Sequence, residues 1–153
     1  MLARDVMSVD VITVSPEDKV EDVARLLLDN KISGAPVVDA GGKVIGMITE
    51  KDLMIKASEL KVPFYLTLFD SIIFLDSPMR FNNQVKKYTA TLVKEAMTDK
   101  VISVSEDTPL SKVVEIMQWE NINRVPVITG GKLVGIVTRH DIMKSIIANR
   151  SES

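Results

Sequence analysis

The chain of 153 residues has no cysteine and a single histidine. Without thiols there is no disulfide, no thiolate nucleophile and no thiolate zinc site, and one imidazole is too few for a zinc site made of protein ligands alone. No stretch reaches about 18 uncharged apolar residues, the length that crosses a bilayer as a helix. The opening Met1-Leu2-Ala3-Arg4-Asp5-Val6-Met7 carries charge where a secretory leader needs an apolar run. These absences give the expectation of a reducing, cytoplasmic location, with no metal and no membrane contact. Charge of one sign is also scarce: 19 basic against 21 acidic residues leave a net charge of -2. That supplies no field to gather phosphate backbones, so nucleic-acid binding by bulk charge is disfavoured. The 46% hydrophobic and 26% charged composition is ordinary for a folded protein. At this length it suits one compact module or two small coupled ones.

The chain repeats itself. Residues 6–38 laid over 96–128 give nine identities: Met7/Met97, Val11/Val101, Ile12/Ile102, Val14/Val104, Ser15/Ser105, Val23/Val113, Ile32/Ile122, Pro36/Pro126 and Val37/Val127. After one deletion, residues 41–54 over 130–143 add Gly41/Gly130, Gly42/Gly131, Lys43/Lys132, Gly46/Gly135, Thr49/Thr138, Asp52/Asp141 and Met54/Met143. Sixteen of 47 pairs are identical, where composition alone would give about three. Periods of this kind mark a duplicated structural unit.

Each copy has the same local pattern. Val11-Ile12-Thr13-Val14 is a β-branched run that predicts a strand, and Ser15-Pro16-Glu17-Asp18 predicts a helix start, with a cap, a first-turn proline and two acids. Val20, Val23, Ala24 and Leu27 then follow the spacing of one buried helical face, as do Leu110, Val113, Val114 and Met117. Two short strands follow, Ala35-Pro36-Val37-Val38 and Val44-Ile45-Gly46-Met47-Ile48, around a Gly-Gly turn. Thr49-Glu50-Lys51-Asp52 and Thr138-Arg139-His140-Asp141 open a last helix in each copy. The predicted unit is β-α-β-β-α, an α/β class. We place copy one at residues 1–56, copy two at 93–150 and a tail at 151–153, with an insert at 57–92. The insert holds six of the seven aromatic residues, so both repeat cores should be aliphatic. Tyr65, Leu68/Phe69, Ile72 and Leu75 after Pro63 fit a helix, Ser77-Pro78 breaks it, and Val85, Tyr88 and Leu92 suggest a second.

In the order of these elements, twice over, the chain resembles a tandem pair of CBS domains, the Bateman module. The resemblance is carried by Asp5-Val6-Met7 and Glu95-Ala96-Met97, the Val-Ile-Thr/Ser-Val and Pro-Val-Val/Ile strands, and the Gly-x-x-Thr-x-x-Asp that closes each repeat. It covers about 110 residues and leaves the insert unexplained. It implies two repeats packed sheet to sheet about a pseudo-twofold axis, with two related clefts that take adenosine compounds: AMP, ADP, ATP or S-adenosylmethionine. The implied role is regulatory, with no catalytic residue and no required cofactor. The implied partners are a small adenosyl ligand, a second copy of the chain and an unidentified regulated protein.

Thr49, Asp52, Thr138 and Asp141 are the ribose candidates. A carboxylate at a helix start can accept from vicinal hydroxyls, a threonine one turn earlier can donate, and the helix N-terminus favours an anion. The same Thr-x-x-Asp is also a capping box, and the two roles are compatible. Gly46 and Gly135 either relieve crowding in a strand or admit a ligand or backbone closely. The phosphate candidates are Arg124, Arg139, His140 and Lys51, and they are unequal between copies, because Ser33-Gly34 and Glu50 stand where copy two has Asn123-Arg124 and Arg139. In relatives of this kind, basic residues matching Arg124 and His140 contact phosphates, which implies that Asp52 holds a ribose whose phosphates those two residues meet. A solvated surface arginine and an exposed histidine are the plain alternatives, and a histidine in that role would make binding depend on pH. Ile12, Thr13, Ala35, Pro36, Ile102, Ser103, Val125 and Pro126 are candidate adenine walls, with burial in the core the alternative for the apolar ones.

A catalytic reading would need a nucleophile, base or metal from carboxylates, lysines and hydroxyls alone. A dimerisation module with vestigial clefts is the stronger rival. We expect a homodimer with the aromatic insert at or beside the contact, the alternative being that its helices fold back entirely as an extra layer over one sheet.

Overall fold

The computed structural model describes residues 1–60, 65–68, 71–74 and 86–151. The first repeat contains α1 (Ala3–Val6), α2 (Val20–Asp29), β1 (Gly34–Val38), β2 (Val44–Thr49) and α3 (Glu50–Glu59). Then come β3 (Tyr65–Leu68) and β4 (Ser71–Phe74), a helical turn at 86–89, and the second repeat: α4 (Val93–Ala96), α5 (Leu110–Glu120), β5 (Arg124–Thr129), β6 (Lys132–Thr138) and α6 (Arg139–Ser151). The strands form three two-stranded sheets, β1 with β2, β3 with β4 and β5 with β6. Among the described residues, no helix is long and apolar enough to cross a membrane.

Three expectations need correction. The leading strand of each repeat shrinks to a single parallel bridge, Val14 to Val37 and Val104 to Val127. The residues before it form no ladder; Val14 N donates to Pro36 O at 3.0 Å, Val104 N to Pro126 O at 3.0 Å, and Ile128 N to Val104 O at 2.8 Å. Proline has no N–H to return to a ladder, which limits the pairing there. Helix α2 starts at Val20 and not at Ser15. Residues 15–18 close on themselves as a turn: the Ser15 amide donates to Asp18 Oδ2 at 2.8 Å and the Asp18 amide to the Ser15 carbonyl at 3.0 Å. The third correction concerns the insert. Residues 65–74 carry an antiparallel pair with register Tyr65↔Phe74 to Leu68↔Ser71, in place of a helix. Tyr, Thr, Ile and Phe favour extended backbone, a two-residue connection suits a hairpin, and over so short a segment apolar spacing does not separate helix from strand. The proposed break at Ser77-Pro78, and Phe64, Phe69, Leu75, Phe81 and Val85, lie outside the described residues. Of the second helix, Tyr88 does fall in a helical turn, but that turn ends at Thr89, and Leu92 is extended and bridges Lys19 instead; the Tyr88 hydroxyl donates to the Leu53 carbonyl at 3.2 Å. Burial pushes that phenol above its ordinary pKa.

The chain divides into two compact units that exchange the leading segments of the repeats. One holds Met1–Thr13, Val38–Ile45 and Lys100–Ser153, and the other holds Val14–Val37 and Gly46–Asp99. In the first unit α1 sits at the start of α5: Ala3 N donates to Thr108 O at 2.8 Å, Arg4 N to Glu106 O at 3.1 Å and Leu110 N to Met1 O at 2.9 Å. In the second, α4 repeats this at the start of α2, with Val93 N to Asp18 O at 2.8 Å, Lys94 N to Pro16 O at 3.0 Å and Val20 N to Thr91 O at 3.0 Å. The ion pairs follow suit, Arg4 with Asp107 and Lys94 with Glu17, although such exposed pairs stabilise little.

Both cores are aliphatic among the described residues. In the first unit Ala3, Val104, Val113, Met117, Val125, Val127 and Val137 form one buried cluster. In the second, Val14, Val20, Val23, Leu27, Ala35, Val37, Ile48, Leu53 and Val93 are buried. The hairpin turns explain the one-residue deletion between copies. Gly130 and Gly131, at φ +59° and +78°, make a two-residue turn that needs positive φ twice. Copy one uses a longer loop in which Asp39 Oδ1 accepts from Gly41 N at 3.0 Å and Lys43 N at 2.9 Å.

Met117 packs inside the first unit's cluster, whereas Trp119, two residues on, is 82% exposed. Met117→Ala is expected to lower unfolding stability by about 2–5 kcal/mol, and Trp119→Ala to change it by less than about 0.5 kcal/mol. Urea denaturation followed by circular dichroism checks both; equal effects would show that α5 does not face the core this way.

Candidate functional site

The two helix mouths that follow β2 and β6 are built alike. Each strand ends in a threonine with extended backbone that caps the next helix. In the unit holding α3, the Thr49 amide and Oγ1 both donate to Asp52 Oδ2, at 2.9 and 3.0 Å, while Thr49 Oγ1 accepts from the Asp52 amide at 3.3 Å. In the unit holding α6, the Thr138 amide and Oγ1 donate to Asp141 Oδ2 at 2.8 and 2.9 Å, and Thr138 Oγ1 accepts from the Asp141 amide at 3.2 Å. The capping box is thus formed in both copies, and it satisfies amides at the positive end of each helix. Both aspartates are half-buried and keep one oxygen, Oδ1, turned away from the cap.

That second oxygen meets a hydroxyl that sequence reasoning passed over. Thr98 Oγ1 donates to Asp52 Oδ1 at 3.0 Å, and Ser8 Oγ to Asp141 Oδ1 at 3.4 Å. Ser8 and Thr98 are equivalent in the duplication, each directly after the identical Met7 or Met97. A hydroxyl kept in both copies beside an identity was the available signal. Both residues arrive on the leading segments, which bond to the second strand of each hairpin. Met47 N donates to Thr98 O and Thr98 N to Met47 O, each at 2.9 Å, and Ser8 with Ile136 makes the matching pair at 2.9 and 3.0 Å.

Gly46 and Gly135 make that approach possible. A Cβ at position 46 would lie 2.8 Å from both Met97 Sδ and the Thr98 carbonyl; at 135 it would lie 2.5 Å from Met7 Sδ and 3.1 Å from the Ser8 carbonyl. What comes close to these glycines is the chain's own backbone and a methionine.

The remaining candidates divide between the units. Arg124 opens β5 half-buried, in register with Thr138, and Val125 and Pro126 follow it as buried strand residues. Arg139 is tied back to Asn123, its Nη1 donating to Oδ1 at 3.1 Å and its amide to the Asn123 carbonyl at 3.0 Å. Asn123 was not among the candidates. His140 is exposed on the first turn of α6, as Lys51 is on that of α3. Ile102 is half-buried and Ser103 exposed, directly before the Val104 bridge. Ala35 and Pro36 are buried in β1, within the unit of Thr49, Asp52 and Lys51. Ile12, half-buried, and Thr13, exposed, belong with the other unit, as do Arg124 and His140. Around α3 the first turn carries Glu50 and Asp52; around α6, Asp141 has Arg139 and His140 as neighbours in sequence. Among the described residues, no group of three or more His, Asp or Glu side chains is placed to hold a metal ion.

A family model described as CBS domain matches residues 3–59 and 93–148. The uncharacterized protein MJ1426 of Methanocaldococcus jannaschii is 33% identical, over 96% of this chain and 92% of its own length. Inosine-5'-monophosphate dehydrogenase of the same organism is 32% identical over 93% of this chain, but over 23% of the enzyme. Among solved structures, the CBS domain pair of protein MJ0100 in complex with 5'-methylthioadenosine and S-adenosyl-L-methionine is similar with a TM-score of 0.72 and 27% identity, covering 97% of this chain and 98% of that one. CBSX2 in complex with AMP is similar in fold, with a TM-score of 0.74 at 23% identity, over 97% of this chain and 98% of its own.

The glycine geometry predicts a graded response. Gly46→Ala and Gly135→Ala should each destabilise the chain by about 1–3 kcal/mol through overpacking. Met7→Ala should recover most of the loss at 135, where the tightest contacts are side-chain atoms. Met97→Ala should recover less at 46, because the Thr98 carbonyl remains. Thermal unfolding of the four variants and the two double variants tests this, and full rescue at 46 would contradict it.

Proposed function

The chain belongs to the CBS domain family, and on that premise we propose that it is a regulatory module that binds an adenosyl ligand and carries out no chemistry of its own. The observation that carries the proposal is the duplicated helix mouth, in which a half-buried carboxylate keeps one oxygen outside the cap at the positive end of a helix. A ribose offers two neighbouring hydroxyls, and a carboxylate is the acceptor that suits them. Capping and ribose binding use different oxygens of the same side chain, so neither role displaces the other. The MJ0100 CBS pair, 27% identical to this chain, holds two adenosyl compounds, which supports the ligand class. The dehydrogenase likeness covers 23% of that enzyme and lends no reaction to this chain.

In this reading Asp52 and Thr49 serve one ribose and Asp141 and Thr138 another. Ala35, Pro36, Val125 and Pro126 supply apolar strand surface for the base, with Ile12, Thr13, Ile102 and Ser103 lining the extended approach. Arg124 and Arg139 offer positive charge and His140 a ring N–H donor to a phosphate or carboxylate, and Lys51 offers one positive charge on the first turn of α3. AMP, ADP, ATP and S-adenosylmethionine all fit that chemistry. The same proposal puts the protein in the cytoplasm, where such compounds are abundant, and couples it to an unidentified regulated protein. It includes a homodimer, supported by large apolar side chains left exposed on single helices: Met143, Ile146 and Ile147 on α6, and Met54 and Ile55 on α3.

Isothermal titration with AMP, ATP and S-adenosylmethionine is the direct test. Asp52→Ala and Asp141→Ala should each weaken one site by about 1.5–3 kcal/mol, and Arg124→Ala should weaken AMP far more than adenosine, since only the phosphate uses the guanidinium. No binding of any of these compounds up to millimolar concentration would leave a dimerisation module with vestigial clefts as the function.

Sedimentation at about 100 μM should give a dimer. Ile146→Ser with Ile147→Ser should shift it to monomer without loss of fold, and a monomeric parent chain would refute the dimer.

A further inference from the structure

We infer that Thr98 and Ser8 act as built-in competitors for the ribose, setting how strongly each helix mouth prefers a ribose to a deoxyribose; this rests on the adenosyl reading above. An ionised carboxylate offers about four acceptor positions, two on each oxygen. At Asp52 both positions of Oδ2 are taken, by the Thr49 amide at 2.9 Å and the Thr49 hydroxyl at 3.0 Å. Thr98 Oγ1 takes one of the two on Oδ1, at 3.0 Å. One position remains, whereas a ribose diol brings two donors. A ligand with a single hydroxyl fits the carboxylate as it stands. A ligand with two is fully satisfied only when the Thr98 hydroxyl turns away.

The turn costs one hydrogen bond and nothing of the backbone. The Thr98 amide and carbonyl stay bonded to Met47 at 2.9 Å each, and the Gly46 seat under Met97 is unchanged. The exchange is a side-chain rotation on an exposed residue, and water can take up the released hydroxyl. Thr98 belongs to the second repeat's leading segment, while Asp52 belongs to the first repeat's last helix. Occupation of this mouth is therefore reported on a segment from the other repeat. At Asp141 the same arrangement recurs with Ser8, at 3.4 Å. That longer contact makes Ser8 the weaker competitor, so the two mouths of one chain differ in affinity for the same ligand even before their unequal basic residues act.

The experiment uses the full chain with Asp141→Ala, which isolates the Asp52 mouth, and titrates AMP and 5'-methylthioadenosine against their 2'-deoxy analogues. Thr98→Val removes the hydroxyl at constant shape. It should tighten the two ribose compounds about three- to ten-fold, the worth of one net hydrogen bond, and leave the deoxy analogues within about two-fold. Thr98→Ser, which restores the hydroxyl, should return the parental ratio. Ser8→Ala in the Asp52→Ala background should give the same sign with a smaller change. An unchanged ratio of ribose to deoxyribose affinity, equal shifts for both, or weaker ribose binding in Thr98→Val would each overturn the competitor role while leaving the adenosyl reading intact. If the unmodified chain binds none of the four compounds, the adenosyl reading itself fails and the competitor role falls with it.

Discussion

Each compact unit depends on one close approach: a leading segment laid against the second strand of a hairpin at a glycine. Two backbone hydrogen bonds hold it, Met47 with Thr98 in one unit and Ser8 with Ile136 in the other. Gly46 and Gly135 leave the room, and any Cβ there would press on a methionine sulfur and a carbonyl oxygen. The burial of Ala3 in α1 and Val93 in α4, the seating of the methionine and the placing of the hydroxyl beside the aspartate go with that contact. Ala3 and Val93, fully buried one turn upstream, anchor the same segments from the other end.

The duplication was plain in the sequence, and so were the elements with strong local chemistry. Val23 and Leu27, and Val113 and Met117, point inward as their spacing requires. The Gly-Gly turns and the Thr-x-x-Asp helix starts are where their residues put them, because each is decided within a few positions of itself. Elements decided by distant partners were less legible. The β-branched runs at 11–14 and 101–104 gain only one bridge each, since the strand they meet has a proline as its third residue, directly before the bridged valine. The Ser15 segment reads as a helix start but is drawn into a turn whose carbonyls receive the amides of α4 from about 75 residues away. In the insert, the apolar spacing of Tyr65, Leu68 and Ile72 fits a helix over so short a span, but β-branched and aromatic residues and cross-strand pairing chose the hairpin.

The candidate site was half legible. Thr49, Asp52, Thr138 and Asp141 are assembled in both copies, with cap and carboxylate sharing one side chain. Ser8 and Thr98 were hidden because they are 133 and 46 residues from the acids they bond. They are joined to those acids only through the exchange of leading segments, which no local pattern announces. Asn123 was missed for a related reason: its role is to hold Arg139, and an amide before a strand has no signature of that. The basic residues of copy two were visible as a charge difference, and the register of Arg124 with Thr138 turns that difference into a neighbourhood.

The exchange of leading segments also orders events on the ribosome. Residues 14–37 and 46–99 contain every part of one unit, so that unit can close as soon as Asp99 has emerged. Residues 1–13 precede that unit in the chain and yet belong with 38–45 and 100–153. Their α1 helix, four residues long, is too short to persist alone. During synthesis residues 1–13 therefore wait for the backbone partners they find at Glu106, Thr108, Leu110 and Ile136. Closing so long a loop costs only slightly more entropy than closing a short one, so the delay falls on timing and not on final stability. The Ser8–Ile136 pair can form only once β6 has been made, so the hydroxyl beside Asp141 is placed late in synthesis.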